Sequence, residues 1–269
     1  MPTGVQLADS LPGWGAVLLV TVTLLLVVAE VGFRLGRRHP TADDDRKTQA
    51  GVLIAALLAL LGLLLAFSFS IVESRFTARK NLVLEEANAI ETTWLRAAVL
   101  PAPHDERVQA LLRAYVGYRV GRRTPEALDA AIRLSEDLHE DLWAEAVLVG
   151  ERYPESEMVS LFMRSLNEVI DLHESRITVA LHQRLPTPIL LTLYVVSILS
   201  MAVLGYGAGL SRTRTLLPTT ALVVAVSAVV VLIVELDRPM GRLIEVNQAA
   251  LVDVREAMDR EYQLDDASL

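Results

Sequence analysis

Four apolar blocks, each almost free of charge, constrain this chain more than any other feature. They run from about Trp14 to Phe33, Ala50 to Val72, Pro188 to Leu210 and Leu216 to Leu236. Each is close to the ~20 residues that carry a helix across ~30 Å of hydrocarbon. A soluble core would show shorter runs broken by polar positions. Alternating segments of about ten residues, the mark of a membrane barrel, are missing, so the spans are helices. Blocks three and four are separated by only a few residues, which makes them a tight helical hairpin.

The remainder reads as helical too. No Gly or Pro interrupts Leu63 to Leu100, so the second span is expected to leave the bilayer as one long helix ending at Pro101 and Pro103. A helix from about Asp105 to Arg122 carries Val108, Leu111, Leu112 and Tyr115 on one face. Another begins with Thr124 as N-cap and Pro125 in the first turn, and ends at Gly150. A third covers about Glu157 to Leu185, and a tail helix about Leu243 to Tyr262. These periods are 3.6 rather than 2. The expectation is an all-α membrane protein with four transmembrane helices and a helical extramembrane domain between spans 2 and 3. Its divisions are an N-terminal tail 1–13, spans 1 and 2 over 14–72, the domain 73–186, the hairpin 187–236 and a C-terminal helical tail 237–269.

Composition narrows function by exclusion. The net charge of −8 is mild and gives no reason to expect nucleic acid as a partner. Cysteine is absent, which removes disulfides and thiolate metal sites. Met1 to Ser10 lacks a basic n-region and carries Asp9, so no cleavable signal peptide is expected. No phosphate-cradling glycine loop, nucleophile elbow or zinc-protease motif occurs, and no enzyme and no cofactor are expected.

Orientation is balanced. Arg34, Arg37, Arg38, Arg46, Lys47, Arg212 and Arg214 flank the short loops; Arg75, Arg79, Lys80, Arg176, Arg184, Arg238 and Arg242 flank the domain side. The positive-inside rule therefore does not choose. A base-free N-terminus points outward for the N-terminus, domain and tail, all three of which share one side because the spans between them come in pairs.

Several polar residues are candidates. Glu30 is either an intramembrane functional acid or the i+4 partner of Arg34. Ser68, Ser70 and Ser74, beside Phe67 and Phe69, suit either a pore constriction or close helix packing. Glu85, Asn88, Thr92 and Arg96 form a polar stripe, either solvent-facing or a structural ion-pair network. Asp237 or Arg238 is expected to pair with a charge on the second helix, Arg75 or Glu85. Glu136-x-x-His139 has the spacing of carboxylate-bridged metal bundles. Its would-be second copy, Asp171-Leu172-His173, has the wrong spacing, so no metal site is expected.

The segment Phe67 to Lys80, with Glu86-Ala87-Asn88-Ala89, Leu95-Arg96, Leu100-Pro101 and Tyr115, resembles the bacterial bestrophin-like family. So does Glu235-Leu236-Asp237-Arg238-Pro239. The more distant resemblance is to bestrophins, homopentameric anion channels with four spans per chain and a cytosolic helical domain. Their second span lines the pore and leads into a Tyr-Asp-Arg-Trp-type motif. Glu73-Ser74-Arg75-Phe76 stands at that place here; Arg75 and Phe76 match, while Ser74 replaces the acid and Glu73 the tyrosine. The resemblance implies a multi-pass homo-oligomer, a pentamer, in a bacterial inner membrane, with the domain cytosolic and inorganic anions as permeant partners. Phe67, Ser68, Ser70, Ser74 and Arg75 are then expected to line the pore. Arg79 and Lys80 would join Arg75 in attracting anions at its mouth. Arg79, Glu85, Glu86, Asn88, Arg96, Asp237 and Arg238 are expected to form a structural polar network. The rival expectation is a non-conducting scaffold or sensor whose helical domain binds a partner. The nearly pure Leu/Ala run Leu53 to Ala66 favours that rival, unless the pore is apolar with a short polar mouth.

Overall fold

A computed structural model of the chain describes residues 13–38, 44–121, 125–179, 184–214, 216–238 and 246–266. Among them are eight helices and no strand: α1 Trp14–Arg37, α2 Asp44–Ala97, α3 His104–Arg119, α4 Pro125–Arg152, α5 Glu157–Ile177, α6 Thr187–Leu210, α7 Leu216–Asp237 and α8 Ala249–Asp266. Thr124 and Leu243, expected as a cap and a helix start, lie outside the described residues, as does Pro239. The chain is an all-α membrane protein with four helices long and apolar enough to span a bilayer: α1, α2, α6 and α7.

α2 has 54 residues. At ~1.5 Å per residue it is about 80 Å long, far more than a ~30 Å hydrocarbon core needs. The expected continuous helix past Leu63 is therefore present, and it supplies residues to both compact units of the chain.

The membrane unit contains Ser10–Phe76 and Arg184–Glu245. Its core gathers Leu25, Leu61, Val72, Leu193, Met201, Val223, Val230 and Ile233. α1 and α6 pack most closely, and glycine explains why. Cβ atoms added at Gly32 or Gly36 would run into the backbone of Ala202 and Tyr206; at Gly205 or Gly209 they would meet that of Ala29 and Phe33. Small residues four apart on both helices let the backbones touch, the usual substitute in lipid for a missing hydrophobic drive.

The helical unit contains Thr77–Gln183 and Val246–Leu269. Its core joins Val83, Ile90 and Trp94 of α2 to Leu112 and Tyr115 of α3, Leu142 and Val149 of α4, Phe162 and Leu166 of α5, and Leu251 and Met258 of α8. α8 is also fastened by polar contacts: Trp94 Nε1 donates to Glu261 at 2.8 Å, and Arg113 Nε to Asp259 at 2.6 Å. The helix expected to reach about Leu185 ends as an α-helix at Ile177; residues 180–183 lie outside the described residues, and Leu185 is not helical.

Candidate functional site

In the membrane unit the site residues sit on α2. One turn of ~3.6 residues sorts them into two faces. Leu61, Ser68 and Val72 point into the core, and Ser68 is 2% exposed. Leu63, Phe67, Ser70 and Ser74, at i, i+4, i+7 and i+11, lie on the other side and are all exposed, Phe67 at 61%. Ser68 and Arg75 fall on the inward side because the helical period carries them there. Arg75 Nη1 stands 3.7 Å from Asp237 Oδ1, whose same oxygen accepts the Leu185 backbone N–H at 2.7 Å. Arg75 thus answers an acid of its own unit instead of facing outward.

Asp237 and Arg238 behave differently. Arg238 pairs back onto buried Glu235 at 2.8 Å. Glu30 accepts from Arg34 at 2.9 Å and from Arg214 at 3.4 Å, the pairing expected of an acid one turn from a span end. A hollow of 380 Å³ lies nearby, lined by Phe33, Arg37, Arg212 and Arg214.

In the helical unit the polar stripe resolves one residue away from its expected place. Glu85, Asn88 and Thr92 are exposed, and Arg96 spends a guanidinium N–H on the Leu161 carbonyl at 2.8 Å. Arg79 is buried. The centre is Glu86, which has no exposed surface. Arg119 grips it with two N–H groups, Nε to Oε1 at 2.8 Å and Nη2 to Oε2 at 3.4 Å. Arg176 donates to Oε2, and the Tyr115 hydroxyl to Oε1 at 2.7 Å. Burial alone would push the Glu86 carboxyl up. The Arg176 and Arg119 charges, with the bonds from Arg119 and Tyr115, outweigh it and hold the carboxyl at about 2.

Two histidines complete this cluster. Tyr115 stacks at a tilt on His139, ring centroids 4.8 Å apart, and His139 meets His173 edge-on at 4.7 Å. Burial, and then the Arg119 charge, push His139 down to about 4 and His173 to about 3, so both are neutral near neutral pH. Glu86 was legible as a motif residue; Arg119, Arg176, His139 and His173 as its neighbours were not. The only available signal was Tyr115 and Arg119 at i and i+4 on one helix face.

The fold is thus that of a four-span helical membrane protein with a helical unit organised about a buried, doubly arginine-bound carboxylate. The chain belongs to the Bestrophin-like family, whose domain model matches residues 18–251. A bacterial bestrophin homologue from Klebsiella pneumoniae shares its fold. In one single-substitution form the TM-score is 0.63 at 18% identity, covering 90% of this chain and 96% of that one. In a second form it is 0.61 at 17%, covering 90% and 96%. A search of curated proteins finds no match.

Proposed function

We propose that the chain is one subunit of an oligomeric ion channel of the bacterial inner membrane, with α2 lining the pore. One observation carries this reading. Only 11% of the most apolar stretch of α2 is buried within the chain, against 28% to 33% for the other three spans. Its open side presents Leu63, Phe67, Ser70 and Ser74 in one line. Lipid suits the leucines, but hydroxyls in lipid gain nothing, whereas several copies of this line around an axis make an apolar ring at Phe67 followed by polar rings. A narrow apolar ring gates by dewetting, and hydroxyl rings give a hydrated mouth without a charge barrier. Anions as the permeant class rest on the family resemblance, since Arg75 and Arg79 are turned inward.

The test is flux. Purified oligomer in liposomes should release halide, Phe67→Ala should raise the rate severalfold, and Ser70→Asp should depress halide flux while admitting cations. Correctly assembled wild type and Phe67→Ala that are both silent would overturn the channel and leave the scaffold reading in its place.

A further inference from the structure

The α4–α5 pair of the helical unit brings Glu136 of one helix close to two consecutive side chains of the other. We infer that Glu136, His173 and Glu174 bind one divalent transition-metal cation of the zinc type per chain. Their ligand atoms, a carboxylate oxygen from each acid and a ring nitrogen of His173, lie within 4.8 Å of one another. Glu136 comes from α4; His173 and Glu174 are consecutive on α5.

The acids alone would mean little, because exposed carboxylates often cluster. His173 makes the difference. It is fully buried, and its Nε2 has no hydrogen-bond partner. Proton bookkeeping settles which nitrogen is the acceptor. The Tyr115 hydroxyl has one proton and gives it to Glu86 Oε1 at 2.7 Å. The tyrosine oxygen can then only accept, and His173 Nδ1, 3.4 Å away, must be the N–H that donates to it. Nε2 is left with a lone pair and no donor. A buried acceptor without a partner costs about 1–3 kcal/mol, and a cation removes that cost.

The surroundings match what a metal-bound imidazole needs. Its far nitrogen is oriented through Tyr115 to the Glu86 carboxylate, the outer-shell arrangement that fixes tautomer and ring plane. His139, edge-on at 4.7 Å, holds the ring from the side.

The donor set chooses the ion. One imidazole and two carboxylates suit zinc, and related first-row ions, better than calcium or magnesium, which prefer oxygen cages. Zinc bonds of about 2.0–2.2 Å place neighbouring ligand atoms about 3.4 Å apart in a tetrahedron. Glu136 and Glu174 are exposed and can close the remaining distance by rotamer changes, leaving one position for water.

The test uses the full chain in detergent, stripped with chelator and titrated with zinc chloride and with calcium chloride. Expected are one zinc bound per chain, a raised melting temperature, and no comparable calcium uptake. Glu136→Gln with Glu174→Gln should weaken zinc binding at least tenfold while leaving the melting temperature of the stripped protein unchanged, because both side chains are exposed. His173→Gln, which keeps a donor for Tyr115, should also lose the ion. No saturable zinc uptake, uptake that survives the double substitution, or tighter binding of calcium would each overturn the assignment.

Discussion

Glu86 is a residue whose loss cannot be absorbed locally, because two guanidiniums converge on it with hardly any water to replace it. Exposed pairs such as Arg255–Asp259 are worth under about 1 kcal/mol. Removing one partner of a buried pair typically costs ~3–5 kcal/mol, since the other charge stays buried and unanswered. Glu86→Gln preserves shape, keeps an acceptor for Tyr115 and removes the charge. It should lower stability by about 3 kcal/mol, read from thermal or denaturant melts in detergent with chelator present. The pH dependence has a definite sign. The folded carboxyl is held at about 2 against an ordinary 4.5. Its contribution is therefore complete above about pH 4.5 and is lost as pH falls toward 2. The gap between wild type and Glu86→Gln should be constant from pH 7 to 5 and close below that; a gap that persists at pH 2 would contradict the ion-pair account. Glu85 and Glu86 are adjacent and chemically alike in sequence. What separates them is ~100° of helix rotation, and only the packing of Val83, Ile90 and Trp94 beside Glu86 shows which one turns inward.

At the scale of elements, the four spans and the long second helix were legible because some twenty charge-free residues admit few other states. Interior helix starts came within a few residues because Pro103 and Pro125 punctuate wherever they fall, but the helix expected to reach Leu185 ends at Ile177. Two features escaped. Gly32-x-x-x-Gly36 and Gly205-x-x-x-Gly209 stand plainly in the sequence, yet only the structure pairs them. Likewise Glu136-x-x-His139 found no second copy of the right spacing at Asp171-Leu172-His173, while the structure brings Glu136 close to His173 and Glu174 across two helices. Pairing between elements is a tertiary property, and periodicity within one helix is blind to it. The glycine contact yields a prediction. Gly205→Val puts a branched side chain against the Ala29 carbonyl and should cost more than the ~1–3 kcal/mol typical of overpacking, because backbone cannot move as a side chain does. Gly117, on α3 with open space beside it, should accept Ala with a gain of up to about 1 kcal/mol in helix propensity. Melting temperatures of the two variants in detergent should therefore move in opposite directions. Equal behaviour would mean that α1 and α6 are not in backbone contact.

On the scale of the whole molecule, sidedness follows from contacts rather than from charge counts. Lys and Arg are level between the two sides, so the positive-inside rule is silent. The helical unit, however, contains both the segment after α2 and the segment after α7. Trp94–Glu261 and Arg113–Asp259 require α8 to lie on the same side of the bilayer as α3. That demands an even number of spans between them, which α6 and α7 supply. The chain has no cysteine, so single introduced thiols report cleanly. Glu140→Cys on α4 and Arg260→Cys on α8 are exposed positions of the helical unit; Arg38→Cys and Thr213→Cys are exposed positions after α1 and α6. In sealed vesicles of one orientation, a membrane-impermeant maleimide should label the first pair together and the second pair only once the vesicles are opened, or the reverse. The two patterns distinguish a cytosolic from an external domain. A mixed result, with Glu140→Cys and Arg260→Cys on different sides, would break the four-span arrangement and, with it, the pore built on α2.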